Sequence, residues 1–241
     1  MKKSKFLIAT CFTILVACSN DTPTITKKDV PNQPTEEKTV LIESDGDEEK
    51  KDKEQAEMLL EFNLQNEQVI LNLNHISILK SYLESSQNKS AEIAKMKLDK
   101  IDVSYNNTMY LLQFSCVNNE CSYILLDQTE DGRSKLIADL SHLEQVISSP
   151  DGNKLLFLFS REDQTINAKV NRITVIDLKD WDTLSLVEDV PITNYEWPIQ
   201  SVEWLNNNDI SVSIPDLNVN DNLKEWVTTD KQTKEKVVHF E

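Results

Sequence analysis

From Ile101 onward the chain is a succession of short aliphatic and aromatic runs bounded by Asn, Asp, Gly and Pro. Runs stand at 110–116, 121–127, 135–140, 145–148, 155–160, 172–178, 184–187, 199–204, 210–214, 224–228 and 237–240. Strands this frequent, with turn residues between them, indicate an antiparallel all-β region. The first two runs form a hairpin around Val117-Asn118-Asn119-Glu120. Setting Cys116 opposite Cys121 also sets Phe114 opposite Tyr123 and Leu112 opposite Leu125, so the register that joins the thiols pairs large apolar residues on one face. Cα atoms opposed in a ladder lie about 4.5–5.5 Å apart, inside the disulfide range. A structural disulfide is expected here, with a free buried pair as the alternative.

Three segments share one form: apolar residues, a polar turn, then a strongly apolar strand. They are 101–112, 146–157 and 201–212, with Asn106, Asp151 and Asn206 at their turns. Those positions stand about 45 and about 55 residues apart, near the spacing of four-stranded propeller blades. In the middle segment Pro150 presets one turn angle and Gly152 accepts a positive φ, which gives a tight link between two strands. Ser149-Pro150-Asp151-Gly152, then Lys154-Leu155-Leu156-Phe157 and Ile173-Thr174-Val175-Ile176-Asp177-Leu178, resembles a blade of the TolB-like or WD40-like propeller repeat. The resemblance implies a partial or small β-propeller, with 64–73 as a candidate fourth unit, and a protein- or wall-binding role. A twisted antiparallel sheet is the other architecture the pattern allows.

Ahead of this region, 55–100 reads as a short helical lead-in. Met58, Leu59 and Phe62 have helical spacing, as do Ile76, Leu79 and Leu83. Residues 69–79 fit a helix or a strand, because Val69, Leu71 and Leu73 also alternate. Ser90 can cap a helix over 91–98. Residues 18–54 are rich in Thr, Pro, Asn, Asp, Glu and Lys, with Val40-Leu41-Ile42 the one apolar group. Such a segment cannot bury enough surface to offset the entropy of ordering, and it reads as a disordered acidic tether.

The N-terminus, 1–17, carries Lys2, Lys3 and Lys5 before an apolar run that closes on Leu15-Val16-Ala17-Cys18. That order of charge, apolar run, small residue and cysteine is an export leader. The run is too short to span about 30 Å of hydrocarbon as a helix. The box resembles that of bacterial lipoproteins, which implies diacylglycerol on the Cys18 thiol, cleavage before it, and anchoring at the extracytoplasmic face of the cell membrane. Cys11 then leaves with the leader.

The formal net charge is −16, and the leader removes three lysines and no acid. So acidic a chain is unsuited to nucleic acid, whose phosphates need a basic face. It is also unsuited to electrostatic adhesion to anionic lipid, which leaves the anchoring to the acyl chains. Three glycines, Gly46, Gly132 and Gly152, cannot build a phosphate-cradling loop. Asp45-Gly46-Asp47 falls short of a calcium loop, and no metal or cofactor site is expected. Asp139-Leu140-Ser141-His142 holds hydrolase residue types without a nucleophile elbow. Tyr195, Trp197, Trp204 and Trp226 gather in the last third and suit either a binding surface or a β core. The sequence is thus read as a membrane-anchored lipoprotein with a propeller-like β domain over 101–241. Its expected role is non-catalytic binding or accessory work with an envelope protein; the rival is an envelope hydrolase acting on wall polymer or peptide.

Overall fold

The computed structural model describes residues 23–29, 40–43, 58–103, 108–128, 132–217, 222–229 and 232–241. The leader, Cys18, the 45–47 acidic group and the turn at 104–107 lie outside the described residues. The chain is mainly β, in three antiparallel sheets. The first has the order β1-β4-β3-β2, from Ile25–Asp29 (β1), Val40–Glu43 (β2), Met58–Asn63 (β3) and Glu67–Asn72 (β4). The second has the order β10-β9-β8-β7-β6-β5. Its strands are Lys97–Ile101 (β5), Met109–Val117 (β6), Glu120–Asp127 (β7), Ser134–Ser148 (β8), Lys154–Asp163 (β9) and Ala168–Asp177 (β10). Ser201–Trp204 (β11), Asp209–Pro215 (β12) and Thr233–His239 (β13) form the third.

Two parts of the expected organisation are corrected. Residues 18–54 are not a plain tether, because β1 and β2 lie within them and flank the first sheet. Thr24 and Ile25 are buried, Ile25 stands opposite Leu71, and Leu41 stands opposite Leu60. The strands of 58–72 supply the burial and ladder bonds that the local composition lacks. The second correction is the lead-in, whose first half is a hairpin of β3 and β4. Leu60 and Phe62, then Val69 and Leu71, are buried at period two, where Met58, Leu59 and Phe62 had pointed to a helix. Helices come only later, as Ser77–Ser85 (α1) and Lys89–Ile93 (α2). Asn88, not Ser90, caps α2, its side chain accepting the Ala91 N–H at 3.1 Å. The helix ends early because Leu98 is taken into β5 opposite Leu112.

Residues 224–228, read as a strand, are a helix, Leu223–Thr228 (α3). Asn222 caps it through the Glu225 N–H at 2.8 Å, a side-chain bond that ladder pairing cannot offer.

Three cores separate four successive layers. The first lies between the first sheet, with α1 and α2, and one face of β6 and β7, where Tyr110, Leu112, Phe114, Ile124 and Leu126 point. Glu67 is buried there, taking Lys27 Nζ at 2.8 Å and the Tyr110 hydroxyl at 3.2 Å. Burial, then the Glu67 charge, pushes the Tyr110 phenol far above its usual range. The central core forms because the second sheet folds over on itself. β8 pairs with β7 through its first half and with β9 through its second, and Met109, Tyr123 and Leu125 of one half meet Leu155, Phe157 and Phe159 of the other. The corner is at Leu140, whose φ is +42°. Arg161 clasps it, donating to the Leu140 and Asp139 carbonyls at 2.8 and 2.5 Å. The third core joins the outer face of β9 and β10 to the third sheet, with Leu156, Ile173 and Val175 against Val212, Ile214 and Val238. Among the described residues no core joins the first sheet to the third, and each sheet keeps two edges.

Cys116 and Cys121 form a disulfide, with Cα atoms 4.1 Å apart. The register beyond it differs from the expected one. Phe114 stands opposite Ser122 and Leu112 opposite Ile124, while Val117 stands opposite Glu120. A bulge between Phe114 and Val117, with Ser115 at φ +51°, takes up the extra residue. One such residue turns every later side chain to the other face. Phe114 therefore joins the first core while Tyr123 joins the central one.

Candidate functional site

The four candidate binding residues, Tyr195, Trp197, Trp204 and Trp226, do not share one exposed face. Tyr195, at φ +57°, is half-buried against the central core, with the Arg161 guanidinium 4.1 Å from its ring. Trp197 is half-buried on the third core, and its carbonyl accepts the Asn171 N–H at 2.8 Å. Trp204 packs beside Phe240, ring centres 6.4 Å apart, and donates from Nε1 to the Ile147 carbonyl at 3.3 Å. Trp226 is buried on α3, its Nε1 held by the Gln232 carbonyl at 2.5 Å.

Trp226 also lines a surface hollow of about 510 Å³ with Glu144, Asn167, Lys169, Ile199 and Gln200. The hollow sits where the β9–β10 hairpin, the second half of β8 and the segment before β11 meet α3. Asn171 forms its floor. Its side chain donates to the Phe159 carbonyl at 3.3 Å and accepts the Ile199 N–H at 2.8 Å, so it is occupied in holding strand to loop. Glu144 takes Lys169 Nζ at 2.7 Å and the Ser160 hydroxyl at 2.6 Å on the same oxygen. Partial burial alone would raise the Glu144 carboxyl, but the hydrogen bonds from Lys169 and Ser160 outweigh it and hold the carboxyl below its ordinary range. The hydrogen bond to Glu144 in turn raises Lys169. Both groups stay charged at neutral pH, which suits a fixed polar contact and not proton transfer. Gln145, Asn167 and Gln200 supply neutral donors and acceptors around the rim.

A second hollow, of about 530 Å³, opens along the outer edge of β10, where the 183–197 segment bonds to it, between Arg172, Thr174, Ser185, Asp189, Asn194 and Phe240. Glu188 on its wall accepts the His239 N–H at 2.9 Å.

Asp139, Ser141 and His142 do not converge. The Asp139 carboxylate receives the Ser122 hydroxyl, Ser141 is buried opposite Cys121, and His142 is exposed opposite Ser160. His75 pairs with the Thr24 hydroxyl at 3.1 Å and His239 with Asp209 at 2.6 Å. Among the described residues no group of three or more His, Cys, Asp or Glu is placed to hold a metal ion. Sequence reading missed the Glu144–Lys169–Ser160 cluster. Its members come from three strands, and only the register of β8 against β9 and β10 brings them together. No family model, no curated protein and no solved structure matches the chain.

Proposed function

We propose that this chain is an extracytoplasmic lipoprotein, joined to diacylglycerol at Cys18, with a non-catalytic binding or accessory role in the cell envelope. The observation that carries the reading is the leader of 1–17, with its lysines, its short apolar run and Ala17 before Cys18. The Cys116–Cys121 disulfide supports it independently, because such bonds persist in oxidising, extracytoplasmic compartments. Two or more acyl chains suffice for stable anchoring. Among the described residues no helix is long and apolar enough to cross a membrane.

The binding role is assigned to the hollow beside Trp226, whose amide rim and charged pair suit a polar, neutral chain such as an extended peptide. The layered sheets are read as an open, propeller-like stack. Support for that comes from two of the repeated turns, which touch in space: the Asp151 N–H donates to the Asn207 side chain at 3.1 Å. Gly152 in the first of them has φ +71°.

Crosslinking in intact cells tests the proposal, with the natural chain compared against Cys18→Ala and the captured material identified. One specific envelope protein captured by the anchored form alone supports the accessory role. Wall fragments, or no protein, would overturn it in favour of an envelope hydrolase.

A further inference from the structure

The anchor and the fold together set how the domain stands on the membrane. Resting on the proposed lipidation of Cys18, we infer that the domain is not suspended on a long tether. It lies against the phospholipid headgroups of the anchoring membrane with the pole around Thr24 facing the bilayer.

Packing at Thr24 carries the inference. Its residue is buried, its hydroxyl meets His75 Nδ1 at 3.1 Å, and its carbonyl accepts the Asn72 N–H at 2.9 Å. Gly132 lies so close that a Cβ there would stand 2.3 Å from the Thr24 Cβ. Thr24 is therefore already part of the folded body. Five peptide steps separate Cys18 from Pro23, and they reach at most about 18 Å even when fully extended. A tether running to residue 54 would reach over 100 Å by the same measure (roughly 36 steps at about 3.3 Å each) and would leave the orientation free.

The same contacts identify what surrounds Thr24. Gly132 lies in the connection between β7 and β8. Next to it, Arg133 donates to the Leu178 and Lys179 carbonyls, each at 3.2 Å. Pro23, His75 and Lys179 are exposed around this point. The β9–β10 turn lies at the other end of β10 from Lys179. β10 runs from Ala168 to Asp177, beside Lys179, and ten residues of strand span about 30 Å. Gln164 in that turn is exposed. The short connection brings Lys179 to the headgroup layer and carries Gln164 away from it.

The test uses the lipidated full-length mature chain, extracted from membranes and reconstituted into vesicles of phosphatidylcholine and phosphatidylglycerol that carry a headgroup-linked acceptor dye. Donor dyes are placed on Lys179→Cys or on Gln164→Cys. Each is then the free thiol, since Cys116 and Cys121 are bonded and Cys18 carries lipid. Energy transfer from position 179 should exceed that from 164 by a factor of about three or more, given the separation of about 30 Å along the strand. Equal transfer from the two positions would overturn the placement. Inserting about thirty Gly and Ser residues after Asn20 should erase the difference by making the connection a flexible coil, and a difference that survives the insertion would also overturn it. Mass measurement of the N-terminal peptide separates the two readings. A Cys18 without diacylglycerol refutes the lipoprotein assignment, whereas equal transfer from a lipidated chain refutes only the orientation.

Discussion

Replacing Arg133 with Ala should destabilise this protein more than any other single change of a charged side chain. Asp127 is fully buried, and Arg133 donates to its Oδ2 from Nε at 2.9 Å and from Nη2 at 2.5 Å. The same guanidinium holds the Leu178 and Lys179 carbonyls and lies 4.7 Å from the centre of the Trp181 ring. It therefore ties the β7–β8 hairpin to the end of β10, across the two halves of the folded-over sheet. Breaking a buried ion pair by removing one partner costs about 3–5 kcal/mol. For a chain of this size that lowers Tm by about 6–20 °C. Arg133→Lys keeps the charge but loses the planar fork, and should fall between the two. Arg133→Met with Asp127→Leu removes both charges and should recover much of the loss. Urea unfolding of the protein, read by tryptophan fluorescence, checks the series. If Arg133→Ala stays within about 1 kcal/mol of the natural protein, the pair is not the clasp described here.

Cys116→Ala with Cys121→Ala should lower stability by about 2 kcal/mol, the loop-closure value for so short a loop, measured as the shift in urea midpoint. Phe157→Ala, at the centre of the folded-over sheet and fully buried, should cost about 3–5 kcal/mol in the same assay. Hydrogen bonds from Asn206, then His239, hold the Asp209 carboxyl below its ordinary range. Its contribution is therefore present above the unfolded carboxylate range and is lost as pH falls through the depressed folded value. Asp209→Asn should leave the acid limb of a stability–pH profile shallower, and an unchanged limb would refute that coupling.

Much of the β region was legible because its signals are local. The turn at Ser149-Pro150-Asp151-Gly152 and the runs at 155–160 and 172–178 carry their own chemistry; β9 contains the first run and β10 all of the second but Leu178. The Cys116–Cys121 bond was legible for the same reason, since five residues fix its span. The ladder beyond it was not, because a single bulge at Ser115 resets every pair and no residue in the segment marks it. The hairpin of β3 and β4 was hidden by ambiguity, since Met58 and Phe62 fit both periods, with Leu59 completing the helical pattern and Leu60 the strand one. The candidate hollow was illegible altogether, since Glu144 meets Lys169 and Ser160 only through strand register.

The sequence alone determined the acidic composition, the predominance of strands and the position of the disulfide. Each depends on residues a few positions apart. Tertiary structure alone decided that Thr24 and Ile25 belong to the body, and that β8 turns a corner and closes the central core. It also decided that the aromatic residues of the last third are divided between cores. The physical reason is the same in each case. An isolated segment such as 24–29 cannot bury enough surface to order itself, and it gains that burial only when Leu71, His75 and Gly132, distant in sequence, present a surface to it.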